Sequence, residues 1–338
     1  MRGENLMAKT KYISSMGELT KKDNSLCFRK NGKNIYIPVE GTEEIYCLNE
    51  VSINTKLLDF ISRNNIVMHF FNYHEGYSGT FYPKNKYNSG KLLLKQVKAF
   101  EENRLIIAKS IVNGIGENIY EILYHYYKHD KKEVKKTLNW IKEDFYSRVS
   151  KGENVKEIMA VEGELWQRFY SEFKFILPED FIMNKRCKRP PDNPINALIS
   201  FGNSLLYTKT ISIIYKTHLE QRISFLHEPS EGRFSLSLDI SEVFKPVIVY
   251  KTIFELVNKK MIKVDKHFNK ELNYCLLNEE GRNIFIKAFE DRLESTFNHG
   301  KLKRRVTYKT AIKLDCYKLI KYIMEDKNFK PFSLKDKF

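Results

Sequence analysis

Cysteine is scarce and scattered: five residues, at 27, 47, 187, 275 and 316, with no C-x-x-C pair among them. An odd, widely spaced set excludes a zinc ribbon and a disulfide framework. It implies buried thiols in a reducing cytoplasm. No apolar run approaches the ~20 residues that a membrane-spanning helix needs. The first residues, MRGENLMAKTKYISS, lack the apolar core of a secretory signal. The expectation is a soluble, cytoplasmic protein with no membrane partner. Internal repeats and low-complexity tracts are absent too. NGIGEN (113–118) carries two glycines but no G-x-G-x-x-G and no strand before it, so a dinucleotide fingerprint is excluded.

Acidic residues are in deficit. The 338 residues include 58 Lys and Arg against 42 Asp and Glu, a formal charge of +16. That excess fits a polyanionic partner, nucleic acid or an acidic membrane face, although a lysine-coated surface would give the same count. Hydrophobic residues make up 42% and aromatic residues 13% of the chain. Such a content excludes a disordered chain and supplies a substantial core.

Two patterns divide the chain. SLCFRK, NIYIPV, EIYCLNEVSI and NIVMHFFNY are short runs of aromatic and β-branched residues, separated by the turn formers KKDN, NGKN, EGTE and NYHEGYSG. TKLLDFISRNN reads as one helix between strands. FYPKNKYNSG (81–90) is a polar linker. From Lys91 the period becomes helical in KLLLKQVKAFEENRLIIAKSIV, KEVKKTLNWIKEDFYSRV and NVKEIMAVEGELWQRFYSEFKFIL. Further helices are expected at 193–217, about 239–259, 279–295 and 306–324. The fold class is α+β: a small β-rich domain over residues 1–90, linker included, then a larger all-α domain over 91–338.

Three places offer chemistry. Glu162 shares an apolar stripe with Ile158, Leu165 and Phe169, so its carboxylate loses hydration and needs a cation or hydrogen-bond donors. A buried Arg or Lys would serve as well as a metal. In FLHEPSEGRFSLSLDISEVFKP (225–246), Asp239 and Glu242 have the D-x-x-E spacing of a capping box, and capping would occupy both carboxylates. Pro246 then suggests a kink or an irregular turn. His227 alone reads as a hydrogen-bonded loop histidine. Together, however, one imidazole and two or three carboxylates suit Mg²⁺ or Mn²⁺ better than zinc. The third place is basic: Lys185, Arg186, Lys188 and Arg189 crowd one loop, and Lys301, Lys303, Arg304 and Arg305 another. Such loops contact phosphates or are solvated charge runs. His125 and His129 read as helix-end histidines, and His69 and His74 as structural ones.

The β-then-helical layout, VEGELWQRFY, DNPINALISFGNSLLY, FLHEPSEGRFSLSLDISEVFKPVIV and KLKRRVTYKTAIKLDCYKLIKYI resemble CRISPR-associated protein one, the integrase subunit of CRISPR adaptation. The likeness runs over nearly the whole chain after the first ten residues. The stretch YISSMGELTKKDNSLCFRKNGKNIYIPVEGTEEIYCLNEV suggests the subtype I-B branch. The resemblance implies a homodimer joined through its β domain and a catalytic helical domain. It also implies a divalent-metal site of Glu162, His227 and Glu242, with Asp239 as supporting acid. The family often has aspartate where Glu242 stands. Asn196 and Ser200 match a motif that packs beside the site. The implied activity is metal-dependent insertion of short duplex DNA, through its 3′-hydroxyls, into CRISPR repeat DNA, with the small CRISPR-associated protein two as partner and associated endonuclease activity. Two other functions fit the same residues: a nuclease for branched DNA, and a basic DNA-binding scaffold without catalysis.

Overall fold

A computed structural model describes residues 9–84, 89–188, 190–271, 274–325 and 327–337. The chain divides into two compact units, 1–88 and 89–338. Unit 2 takes two residues of the expected linker because Ser89 and Gly90 already build its first helix: the Ser89 side chain accepts the N–H of Leu92 at 3.3 Å.

Unit 1 runs β1 (Lys9–Ile13), β2 (Gly17–Lys22), β3 (Ser25–Lys30), β4 (Lys33–Ile37), β5 (Thr42–Cys47), β6 (Val51–Ser52), α1 (Thr55–Arg63), β7 (Val67–Phe71) and β8 (Tyr77–Phe81). One sheet has the order β1-β5-β7-β8, the other β4-β3-β2-β6. Leu19, Leu26 and Phe28 of one sheet, Ile13, Ile45 and Met68 of the other, and Leu57 and Ile61 of α1 form the core of this unit. Strand β8 starts inside NYHEGYSG, which the sequence marks as turn. Its polar residues are used across the ladder, where Thr80 Oγ1 bonds buried His69 Nδ1 at 2.7 Å.

Unit 2 is mostly helical: α2 (Gly90–Lys128), α3 (Lys135–Trp140), α4 (Tyr146–Lys151), α5 (Val155–Ser171), α6 (Phe173–Ile176), α7 (Pro194–Tyr215), α8 (Ser235–Lys245), α9 (Lys251–Asn258), α10 (Val264–His267), α11 (Glu279–Glu294) and α12 (Tyr308–Glu325). Two short antiparallel ribbons interrupt it, β9 (Phe268–Glu271) with β10 (Tyr274–Leu277), and β11 (Thr296–His299) with β12 (Arg304–Thr307). Helix α7 is apolar on every side and correspondingly sits in the core. Its Gly202 lets it approach the chain after α8, since a Cβ there would lie 2.6 Å from Val249 Cγ1. Asparagine caps start several helices: Asn54, Asn154, Asn193 and Asn278 each accept a backbone N–H of the first turn. No helix of the described residues is long and apolar enough to cross a membrane.

The expected capping box is not built. Helix α8 begins at Ser235, a full turn before Asp239, and Phe234 occupies the cap position without a side-chain bond. The first turn is held from outside instead: Gln221 O accepts the N–H of Leu236 and Tyr207 Oη that of Phe234. Asp239 is therefore free for a tertiary role. Pro246 opens a π-helical turn, Pro246–Tyr250, that joins α8 to α9.

Candidate metal centre

The site is assembled from α5, α8 and the loop before α8. Asp239 and Glu242 lie on α8, and both are buried. Asp239 faces the loop. Its Oδ2 accepts the backbone N–H groups of Phe225 at 2.6 Å and Leu226 at 2.9 Å, and its Oδ1 that of His227 at 3.0 Å. His227 Nδ1 stands 2.9 Å from the same Oδ1. Three amides and one ring nitrogen thus saturate a carboxylate in the protein interior, which satisfies the demand that a buried charge be paired. With Nδ1–H donated to Asp239, the lone pair of His227 lies on Nε2, the tautomer that a metal-binding imidazole requires. The backs of these loop residues are held as well. Arg104 Nε of α2 donates to Phe225 O at 3.0 Å, and Ser224 Oγ to His227 O at 2.7 Å.

Glu162 stands half-buried on α5, and the Trp166 indole, one turn on, donates to its Oε1 at 2.6 Å. Burial pushes the Glu162 carboxyl up to about 7. The negative charge of Glu242 adds to the rise, while the indole bond, His227 and Lys245 oppose it. At His227 burial acts to lower the pKa, but the Asp239 bond and charge, then Glu242 and Glu162, outweigh it, and the net direction is upward. These reciprocal effects place Glu162, His227 and Glu242 within one electrostatic neighbourhood. Lys245 brings a cation there, and its Nζ donates to Glu242 Oε1. Glu164, two residues from Glu162, turns away to Arg148 and Arg168.

Among the described residues, no three His, Cys, Asp or Glu side chains are drawn together tightly enough to enclose a metal ion. The donor set nevertheless fits a hard divalent cation in its chemistry: two carboxylates, with the charge of Glu242 opposing ionisation of Glu162, and an imidazole with Nδ1 taken up by Asp239. Glu242 is engaged with Lys245 and Glu162 with Trp166.

An aromatic wall backs the site. Tyr170 and Tyr250 bond hydroxyl to hydroxyl at 2.7 Å, and Trp166 packs 5.5 Å from Tyr250. Burial pushes the Tyr170 phenol up to about 12, with Glu242 and Glu162 contributing in the same direction. Arg186, expected on a free loop, turns inward: it donates to Asn196 Oδ1 at 3.0 Å and Ser200 Oγ at 3.0 Å on α7. Lys185 and Lys188 are exposed, and Arg189 lies outside the described residues. The second basic cluster is not a plain loop. Lys301 and Lys303 form the turn of the β11–β12 ribbon, while Arg304 and Arg305 lie on β12 itself, all four exposed.

Trp166, Lys245 and Arg104 went unnoticed in the sequence. The first two had a signal, since they follow Glu162 and Glu242 by four and three residues on the same helix face. Arg104 had none, being 123 residues from His227.

Residues 11–291 match the model of the family described as CRISPR associated protein Cas1. The chain belongs to that family. The CRISPR-associated endonuclease Cas1 2 of Thermodesulfovibrio yellowstonii is 44% identical over 329 residues, covering 96% of this chain and 99% of the relative. Among solved structures, TM1797, a CAS1 protein from Thermotoga maritima, is similar with a TM-score of 0.82 at 36% identity, over 96% of this chain and 100% of that one. A casposase bound to integration product (TM-score 0.80, 19% identity, 97% and 94% covered) shares the fold. So does a chain of a Cas6-RT-Cas1–Cas2 complex (0.84, 20%), of which this chain covers 36% while 98% of this chain is matched.

Proposed function

We propose that this Cas1 protein is a divalent-metal-dependent DNA integrase of CRISPR adaptation with associated endonuclease activity. It acts as a homodimer joined through unit 1, together with Cas2, in a subtype I-B system of the cytoplasm. Its substrates are a short duplex with free 3′-hydroxyls and CRISPR repeat DNA. The observation that supports the reading is that Glu162, His227 and Glu242, from three separate segments, act on one another's charge, while Asp239 takes up Nδ1 of His227 and leaves its other ring nitrogen available. The naming of the Thermodesulfovibrio relative as an endonuclease agrees with phosphodiester chemistry.

Glu162, His227 and Glu242 would hold Mg²⁺ or Mn²⁺, which supplies charge for the scissile phosphate and lowers the pKa of an attacking hydroxyl. The other groups prepare that chemistry. Asp239 fixes the His227 ring and its tautomer through Nδ1. Trp166 pins one Glu162 oxygen, leaving the other for a ligand. Lys245 pairs with Glu242 and neutralises it. Trp166, Tyr170 and Tyr250 form a packed aromatic cluster beside Glu162. Exposed Lys185, Lys188, Lys301, Lys303, Arg304 and Arg305 offer phosphate contacts, as does Arg189, and Arg186 stands braced beside the site.

The test is joining of a labelled duplex with 3′-hydroxyl ends to a supercoiled plasmid carrying a CRISPR repeat, with Mn²⁺ or EDTA, with and without Cas2. Metal-dependent joining that Glu162→Ala and His227→Ala each reduce at least a hundredfold is expected. Cutting of flaps or junctions without joining would favour a nuclease for branched DNA, in which water replaces the hydroxyl. DNA binding with neither joining nor cutting would leave a scaffold and remove the metal assignment.

A further inference from the structure

Helix α8 is two-sided where it matters. Glu242 and Lys245, three residues apart, share one face, and both charges act on Glu162, that of Glu242 on His227 as well. Val243 and Phe244 point to the opposite side, where they meet the chain that follows α12. Phe332 stacks on Phe244 with ring centroids 5.1 Å apart. Buried Asn118 of α2 donates through Nδ2 to Val243 O at 2.9 Å and to Phe332 O at 3.1 Å, and its Oδ1 accepts the N–H of Leu334 at 2.8 Å. One amide therefore joins α2, α8 and the C-terminal segment, with each of its polar atoms engaged.

The placing of this clamp has a physical reason. Pro246 has no N–H, so the helix cannot give the Glu242 carbonyl its usual i+4 partner, and the next turn is π-helical. The helix's own ladder is weakest immediately after the residue that faces the site. The segment 329–334 compensates from behind: Phe329, Phe332 and Ser333 are almost wholly buried although they belong to no helix or strand. Asp315 Oδ2 of α12 accepts the N–H of Phe332 at 2.7 Å, and Pro331 packs against Gly114 of α2. Loop segments are rarely buried unless their backbone groups are satisfied, and here Phe332 N–H, Phe332 O and Leu334 N–H each have a partner.

We propose that the C-terminal segment, through Asn118 and Phe332, is a strap that sets the rotation of α8 and so aims Glu242 at the metal position; Asn118 and Phe332 are positioning residues. The inference rests on the metal reading for its consequence, but its structural half does not.

The experiment uses the full chain carrying Asn118→Leu, which keeps the branched shape and withdraws the amide, or Phe332→Ala. Two measurements are made: amide hydrogen exchange across 240–250 in EDTA, and binding of Mn²⁺ alone by calorimetry, with thermal melts as a folding control. Exchange at 242–247 at least tenfold faster, with Mn²⁺ bound at least fivefold more weakly by a cooperatively folded variant, is expected. Unchanged exchange at 242–247 in a folded variant would overturn the strap, and so would wild-type Mn²⁺ affinity in both variants. If Asn118→Leu fails to fold, Phe332→Ala decides by the same criteria. Wild-type protein that binds no Mn²⁺ would sink the metal reading and the aiming of Glu242 with it. Faster exchange in the variants would in that case still establish the strap as the support of α8.

Discussion

Glu162 is the residue at which burial, charge and function conflict most openly. An ordinary glutamate releases its proton near pH 4.5, whereas here burial and the charge of Glu242 hold it to about 7. Between those values the folded protein binds more protons than the unfolded chain, so stability falls as pH rises through the window. His227 acts in the same sense: its raised pKa contributes stability below 6.5 that is lost as pH climbs past the folded value. In EDTA the protein is therefore expected to melt at a lower temperature at pH 8 than at pH 5. Glu162→Gln keeps the Trp166 bond and removes the charge. It should raise the pH 8 midpoint by several degrees, on the order of 2 kcal/mol, and flatten the slope between pH 5 and 8. A parallel, undiminished slope in the variant would assign the pH dependence elsewhere. The same reasoning explains why a metal would be retained: a divalent cation removes the repulsion that the variant removes, and leaves the donors in place.

At the scale of the element, α8 decides how much could be read in advance. Its apolar period was plain, and so were the carboxylates on it, but its start was not. D-x-x-E is a good helix opening by local rules, and the chain instead opens at Ser235 because Gln221 O and Tyr207 Oη, distant in sequence, serve the first turn. Local propensity lost to tertiary hydrogen bonding, as it did in β8, where turn-forming residues pair with β7. Strand runs such as SLCFRK and amphipathic helices such as α5 were legible because their periods are set by one buried face. Motif likeness and burial were enough to nominate Glu162, His227 and Glu242, and the fold brings their charges within reach of one another. The roles of Arg104 and Asn118 were not legible, since each acts on backbone groups more than a hundred residues away. Asp239 ties these levels together, and its replacement tests the link. Asp239→Asn leaves one acceptor oxygen for three amides and an imidazole N–H. It should destabilise the protein by about 3 kcal/mol and accelerate amide exchange at 225–227 far more than elsewhere in unit 2. A melt and exchange pattern equal to wild type would mean that the loop is held by Arg104 and Ser224 alone.

For the molecule as a whole, the +16 charge and the site make separable demands. Phosphate contacts release counterions, so each one steepens the fall of affinity with salt by roughly 0.9 in the logarithmic slope for duplex DNA. Lys301, Lys303, Arg304 and Arg305 project from one exposed ribbon, and replacing all four with alanine should reduce the slope by about 2 to 3. Lys185→Ala with Lys188→Ala should reduce it by about 1 to 2. Glu162→Ala should leave the slope of binding in EDTA within about half a unit of wild type, because it removes no cation that a phosphate touches. Fluorescence anisotropy of a labelled duplex from 50 to 300 mM salt measures all three. If the ribbon variant binds with an unaltered slope, the ribbon is a solvated charge run and the DNA path lies elsewhere on the surface. If Glu162→Ala changes the slope as much as the ribbon variant, the acidic site and the basic surface do not act independently. A division between charge that gathers DNA and carboxylates that act on it would then be wrong for this protein.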